Sequence, residues 1–305
     1  MNADALAFAT IQELGTAIRS GAVSPTELAT FYLERLDTIG RSLNAVTTLT
    51  PERAMAAARK AEDELTAGVD RGPLHGIPYG AKDLLATVDY PTSWGAAPFQ
   101  DQQFAIDAAV IQRLDEAGAV LCAKLSMVEI AGGFGYQQAD AAFNGPGICS
   151  WSRDAWTGGS SSGSGSAVGA GCVPFAIGTE TWGSIHCPSS FNGLTGLRPT
   201  YGTVSRAGAM ALSWTMDKIG PMCHTAADCE LVLAAICDRD EWLQSERKPG
   251  PFRIAVLADA TAHTQAEVAT NFAASLDHLA EFAIVEPVAL AGDIPWNQAA
   301  SIIVA

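Results

Sequence analysis

Positive charge is scarce in this sequence. Eighteen lysines and arginines stand against 33 aspartates and glutamates, a formal net charge of −15. No basic stripe stands out, so binding nucleic acid by phosphate neutralisation is not expected. Anionic membrane surfaces are poor partners for the same reason. Long apolar runs are also missing, and nothing in the chain is long enough to span a bilayer. The N-terminal MNADALAFAT lacks a positive segment followed by an apolar core, so no signal peptide is read there. The seven cysteines, Cys122, Cys149, Cys172, Cys187, Cys223, Cys229 and Cys237, are odd in number and contain no Cys-x-x-Cys pair. They read as buried, reduced thiols, which points to a cytoplasmic setting. Cys223-His224 is an adjacent pair without further ligands nearby, so no metal is expected.

What is present is enough apolar residue for a sizeable core: 48% hydrophobic against 17% charged over 305 residues. Residues 9–68 read as helices. Ala9 to Ser20 has helical spacing and stops at Gly21. Ser24-Pro25-Thr26-Glu27 is a start signal, with Ser24 as cap, Pro25 in the first turn and Glu27 three residues on. That helix is predicted to reach about Ile39, and a third runs from Pro51 to about Ala67. His75 reads as a turn residue within Arg71–Gly76. Ile77 to Leu85 then reads as a short buried strand carrying Lys82, a lysine that must be paired, snorkelling or functional.

Further on, Ala105–Ala117 and about Ala226–Ile236 and Thr264–Phe282 read as helices. Ala119–Leu125, Val173–Ile177, Arg253–Ala258 and Ala283–Leu290 read as strands. The alternation suggests an α/β layer fold. Residues 132–160 are a long non-repetitive stretch rich in Gly, Asn, Ser and aromatics, which marks function. Nothing splits the chain, so residues 1–305 read as one domain: a helical region over 1–70 and a core over 71–305. Pro295 to Ala305 starts like an apolar helix with no polar tail, so the core reads as incomplete at its C-terminus and the chain as a fragment or a shortened version.

Gly and Ser crowd residues 158–166. A flexible linker is one reading, but Ala167 to Val173 continues directly into small and apolar residues, as in a helix packed closely on a sheet. A phosphate-binding loop would need a Gly-Lys-Ser/Thr end, which is absent. A serine nucleophile is the third reading. Gly159-Ser160-Ser161-Ser162-Gly163 satisfies G-x-S-x-G with Ser161 central, but that elbow must follow a strand, and Ser152 to Thr157 is a poor one.

Several ordered motifs carry a resemblance. Gly158-Gly159-Ser160-Ser161-Ser162-Gly163-Ser164, Gly178-Thr179-Glu180-Thr181-Trp182-Gly183-Ser184-Ile185 and Gly193 to Gly202 closely resemble the amidase signature family. Gly80-Ala81-Lys82-Asp83 looks like that family's lysine motif, and Asp217-Lys218-Ile219-Gly220-Pro221 like its closing motif. The resemblance implies a layered α/β/α domain with a central, mostly parallel or mixed sheet behind an N-terminal helical region. It implies a Ser–cis-Ser–Lys triad: Ser184 as nucleophile, Ser160 as the bridging serine after a cis peptide bond, and Lys82 as base. Backbone N–H groups of Thr181, Trp182, Gly183 and Ser184 would form the oxyanion hole, with Gly183 serving a tight turn there. No cofactor and no metal are implied.

The chemistry suits these residue types. A serine hydroxyl is a weak nucleophile until a base takes its proton, and a buried lysine can do so because burial disfavours its charged form. Ser161, Ser162 and Ser164 read equally as helix-cap hydroxyls. The chain departs from the family pattern, which usually reads Asp-x-Gly-Gly-Ser-Ile-Arg. Here Glu180 replaces the Asp, Trp182 the first Gly and His186 the Arg. The Trp182 indole is expected to crowd a pocket wall, and Glu180 with His186 to keep a pH-sensitive pair.

The expected activity is hydrolysis of a carboxylic amide, or a related C–N bond such as a carbamate, through a serine acyl-enzyme. The partner is a small-molecule amide, with no direct nucleic acid and no membrane. An apolar face left open by a missing portion would favour homo-oligomers. Two alternatives stand: a glutaminase-type subunit of a tRNA-dependent amidotransferase, and a truncated, non-catalytic member of the fold.

Overall fold

The computed structural model describes residues 3–132, 140–141, 143–238 and 251–290, together with 292, 294–296 and 298. Most of Pro295–Ala305 lies outside the described residues. The chain's contacts fall into two compact units, residues 1–243 and 244–305, where one domain was expected.

The N-terminal helices form where their caps say they should. Helix α1 spans Ile11–Arg19 and α2 spans Pro25–Arg35. At α2, Ser24 Oγ accepts from the Glu27 N–H at 3.1 Å, and Glu27 Oε2 accepts from the Ser24 N–H at 2.8 Å. Two otherwise unpaired donors are satisfied reciprocally. A π-turn over Leu36–Gly40 continues the chain, and α3 spans Pro51–Thr66. Helix α4 covers Ala109–Glu116 and starts later than its pattern predicted. Asp107, just before it, is held by the Arg53 guanidinium at 2.8 Å and by the Val88 N–H at 2.9 Å, so the preceding residues cannot wind into the helix.

The core of the first unit is a six-stranded mixed sheet. Its strands are β1 (Val46–Leu49), β2 (Pro78–Lys82), β3 (Val120–Leu125), β6 (Phe175–Glu180), β7 (Thr195–Gly196) and β8 (Lys218–Cys223). The short strands β4 (Ile148–Cys149) and β5 (Ser152–Trp156) form a separate hairpin. The spatial order is β1-β3-β2-β6-β8-β7. The central β3-β2-β6 trio is parallel, and the flanking pairs are antiparallel. Every residue of β2, β3 and β6 is buried, as expected of parallel strands covered on both faces. The site described below lies at the carboxyl ends of β2 and β6, the usual position for a ligand on parallel strands.

Helix α5 (Ser162–Gly169) has no polar face, and Ser162 to Val168 are all buried. Small residues let its backbone approach its neighbours closely. A Cβ on Gly163 would stand 2.3 Å from the Ala45 carbonyl oxygen and 2.5 Å from the Ser126 nitrogen. The serines tie the helix to the surrounding backbone. Ser164 Oγ donates to the Ile177 carbonyl at 3.2 Å, and Ser166 Oγ to that of Ile148 at 2.6 Å. Helices α6 (His186–Asn192) and α7 (Ala226–Ile236) complete this unit. Among the described residues no helix is long and apolar enough to cross a membrane.

The second unit holds β9 (Phe252–Leu257), helix α8 (Ala266–Ala280) and β10 (Ala283–Val288). β9 and β10 pair in parallel as a two-stranded sheet of their own.

The close approach of α5 makes a stability prediction. Gly163→Ala should destabilise the fold by about 1–3 kcal/mol, the usual range for overpacking. A urea titration should show a lower midpoint at unchanged slope. A loss under about 0.5 kcal/mol would mean that the helix has room to shift away from Ala45 and Ser126.

Candidate active site

Lys82 ends β2 with its side chain fully buried. Its Nζ donates to Ser160 Oγ at 2.7 Å and to Thr179 Oγ1 at 3.0 Å. It neither snorkels nor forms an ion pair: its hydrogen bonds run to two hydroxyls. Burial pulls its pKa down to about 7, with the more distant Asp217 and Glu180 carboxylates opposing the shift.

A second buried lysine provides the contrast. Lys124 on β3 pairs in register with Ala81, so it and Lys82 point to opposite faces of the sheet. Its Nζ lies 2.8 Å from the Asp83 carboxylate and also donates to Thr92 Oγ1 at 2.8 Å. Asp83 in turn accepts from the Ser93 N–H at 3.0 Å and from the Ser93 hydroxyl. One lysine therefore receives the local carboxylate, and the other does without.

The Gly159–Ser160 peptide is cis. Gly159 is needed for space, since a Cβ there would lie 2.5 Å from Val128 Cγ2. The Val128 N–H donates to the Ser160 carbonyl at 3.0 Å, fixing the segment from the other side. The next residue, Ser161, donates its N–H to the Ser184 carbonyl at 3.2 Å, which brings the two serine turns together. Ser184 is 3% exposed.

The turn from Thr181 to Ser184 is held by its carbonyls. That of Thr181 accepts from Lys218 Nζ at 2.8 Å, that of Trp182 from Arg198 Nη1 at 3.3 Å, and that of Gly183 from the Cys187 N–H at 2.7 Å. Each tie orients a peptide plane and so the N–H on its far side. Glu180 organises the same turn from beneath. Its buried carboxylate accepts from the N–H groups of Ile185 and His186 at 2.9 Å each, from His186 Nδ1 at 2.9 Å, and from Arg198 Nη1 at 2.7 Å. Burial resists its ionisation, but the hydrogen bonds from the His186 and Ile185 N–H groups outweigh that and hold its pKa below the usual value of 4.5.

Several expectations change. Strand β6 runs to Glu180, three residues past its apolar stretch, and so carries Thr179 and Glu180 into the site. The Glu180–His186 pair is present, but Arg198 supplies a guanidinium that the local motif lacks. The turn does not require glycine at 183: its φ is not positive, and a Cβ there would meet nothing within 4 Å. Its small size instead leaves open space beside Ser184. Trp182 is 62% exposed and does not line the cavity next to the site. Ser152–Trp156 is a strand after all, but it belongs to the separate hairpin. Ser161 therefore does not follow a strand of the main sheet, as such an elbow requires. It is buried, with Oγ donating to the Thr179 carbonyl and accepting from the Thr179 N–H, both at 3.2 Å. Ser161 holds the N-cap position of α5 but makes no side-chain cap bond there, and Ser164 Oγ donates to a carbonyl instead of capping.

Sequence reasoning missed Thr179, Arg198 and the role of Asp217. Asp217 accepts from Thr181 Oγ1 at 2.6 Å and from the Leu212 N–H at 2.9 Å, joining the 181–184 turn to the 212–217 loop. A cavity of about 240 Å3 opens beside Thr179 and Thr181.

Removing the Glu180 charge tests that arrangement. Glu180→Gln should cost about 2–3 kcal/mol near neutral pH, as expected for charge-assisted hydrogen bonds. Because the folded pKa is depressed, the wild-type advantage is complete above the unfolded value and is lost as pH falls through the lower folded value. Urea titrations of both proteins at several pH values below neutrality should therefore converge in acid; a constant difference would contradict the assignment.

Comparison with known proteins gives the family. The sequence profile described as Amidase matches residues 27–291. Over 232 residues the chain is 40% identical to the A-type component of the glutamyl-tRNA(Gln) amidotransferase of Methylococcus capsulatus, covering 76% of this chain and 47% of that protein. It is 38% identical over 240 residues to a putative amidase, AmiD, of Mycobacterium bovis, covering 79% and 50%. The chain thus spans about half the length of the curated relatives it matches. Among solved structures, the native peptide amidase of Stenotrophomonas maltophilia superposes with a TM-score of 0.82 at 31% identity, over 95% of this chain and 64% of that one. With the profile covering most of its length and the mixed sheet shared with these enzymes, the chain belongs to the amidase family, the group of the amidase-signature enzymes.

Proposed function

We propose that this chain hydrolyses a carboxylic amide through an acyl-enzyme on Ser184. The observation that carries the reading is Lys82: a fully buried amine, bonded to hydroxyls, with a pKa drawn down to about 7. At that value much of it is neutral under physiological conditions, which is the form a general base requires.

In the neutral state the Lys82–Ser160 contact reverses. The Ser160 hydroxyl donates to the Nζ lone pair and accepts from Ser184 Oγ. As Ser184 Oγ bonds to the substrate carbonyl carbon, its proton passes to Ser160 and that of Ser160 to Lys82. The N–H groups of Thr181, Trp182, Gly183 and Ser184 receive the developing oxyanion. The ties on the carbonyls of Thr181, Trp182 and Gly183 support this role, because donors fixed before reaction need no reorganisation. Collapse breaks the C–N bond, and the proton returns through Ser160 to the leaving amine. A water then repeats the sequence and releases the acid. Thr179 keeps Nζ aimed at Ser160 throughout. The route calls on side chains and backbone alone and assigns no part to a metal or organic cofactor.

A second reading, a glutaminase component within an amidotransferase, draws on the 40% identity to the Methylococcus capsulatus protein. It requires glutaminase activity that appears only when partner subunits are added.

The experiment is labelling with a small fluorophosphonate followed by peptide mapping. The label is expected on Ser184. Lys82→Ala should slow labelling and amide turnover by about 10²–10⁴-fold, the usual contribution of a general base. The rate should rise with pH through about 7, because protonated Lys82 below that point cannot accept a proton. Label on Ser161, or no label at all, overturns the reading; the latter outcome is that of a non-catalytic member of the fold.

A further inference from the structure

Resting on that acyl-enzyme reading, we infer that Lys218 is a positioning residue for the reaction: its ammonium, bonded to the Thr181 carbonyl, fixes and polarises the Thr181–Trp182 peptide, so that the Trp182 N–H meets the developing oxyanion as a strengthened donor. Lys218 opens β8 and pairs in register with Glu180 at the end of β6. Residues opposite one another in an antiparallel pair share a face, and opposite charges there ordinarily join. These two do not. Glu180 is taken by His186 and Arg198, and Lys218 Nζ donates instead to the Thr181 carbonyl at 2.8 Å. Lys218 forms no ion pair among the described residues.

The three ties on the turn carbonyls differ in kind. The tie on Gly183 comes from the neutral Cys187 N–H. The tie on Trp182 comes from Arg198 Nη1 at 3.3 Å, and the same nitrogen is committed to Glu180 at 2.7 Å. Lys218 supplies the short tie from a cation that no carboxylate in contact offsets. A trans peptide sets its C=O and N–H on opposite sides, and among the described residues the cis bond is the one between Gly159 and Ser160. A cation that draws electron density onto the Thr181 oxygen therefore leaves the Trp182 hydrogen more positive and aims it away from Lys218. Neither the Trp182 nor the Gly183 N–H donates to an acceptor among the described residues, which leaves both to a substrate oxygen.

Three charged groups act on Lys218: Arg198, Glu180 and Asp217. Burial, reinforced by Arg198, lowers its pKa from the usual 10.5 against the pull of the two carboxylates. The tie thus loses its charge at a lower pH than an exposed lysine would. The reaction needs Lys82 neutral and Lys218 charged, so its rate should rise through about 7 and fall again in base.

The limiting rate of fluorophosphonate labelling of Ser184 tests this, because phosphonyl transfer also builds negative charge on an oxygen facing these donors. It is measured from about pH 6 to about pH 11, across the ordinary ranges of both lysines, with tryptophan fluorescence checking the fold at each pH. At neutral pH Lys218→Met should lower the limiting rate roughly tenfold, less than the loss of a whole donor, and leave the half-saturating concentration within about twofold. Lys218→Arg should recover most of that loss and hold its rate into base, because a guanidinium stays charged there. Lys218→Met should show no fall in base. A merely structural brace would leave the same basic fall, or none, in all three proteins. Labelled wild-type protein with that result overturns the role of Lys218 and leaves the acyl-enzyme reading standing. Unlabelled wild-type protein overturns both. Should Lys218→Met not fold, the contrast in base between wild type and Lys218→Arg carries the test.

Discussion

The burial of an amine without a neighbouring carboxylate is the constraint on which this structure turns. A charged lysine head group inside a protein ordinarily demands an anion. Lys124 follows that rule through Asp83. Lys82, one strand away on the opposite face, is given two hydroxyls instead. Its proton affinity drops because burial strips water from the ammonium form and outweighs the opposing pull of Asp217 and Glu180. The carboxylates nearest in effect, Asp217 and Glu180, are both engaged with other groups: Glu180 with Arg198 and the turn amides, Asp217 with Thr181 and the Leu212 N–H.

That arrangement depends on dense small-residue packing. Ser160 reaches Lys82 because the segment leading into α5 runs tight against β2, β6 and the Val128 region. The approach leaves no room for a Cβ at Gly159 or Gly163. The serines of α5 satisfy strand and hairpin carbonyls that would otherwise be buried unpaired. A stretch that looks like a flexible linker in composition is therefore among the most tightly held parts of the first unit.

The turn before α6 follows a similar logic from another direction. Its carbonyls are occupied by Lys218, Arg198 and Cys187, and its far end is anchored on Glu180. The replacement of the family's usual Asp and Arg by Glu180 and His186 does not remove the carboxylate–guanidinium contact, because Arg198 arrives from beyond α6 to restore it. Asp217 links this turn to the loop that lines the cavity, so the turn and the cavity wall share one brace.

The elements set by local chemistry were legible in the chain alone. The Ser24–Glu27 capping box, the buried runs of β2 and β3, and the helix at 226–236 follow from contacts within a few residues of each other. Lys82, Ser160 and Ser184 stood out because their motifs are contiguous. What needed the fold was everything joined across long separations. β6 extends to Glu180 although its last residues are not apolar, because the polar side chains there find partners brought from elsewhere in the chain. Gly183 reads as a residue the turn demands, yet in space neither a positive φ nor a close neighbour requires glycine there. Trp182 reads as an obstruction, yet its indole faces solvent. Residue order alone determined which groups could carry the chemistry. Only the tertiary structure decided which of them are buried, which are paired and which face open space, because pKa and access are properties of surroundings that the chain assembles from distant parts.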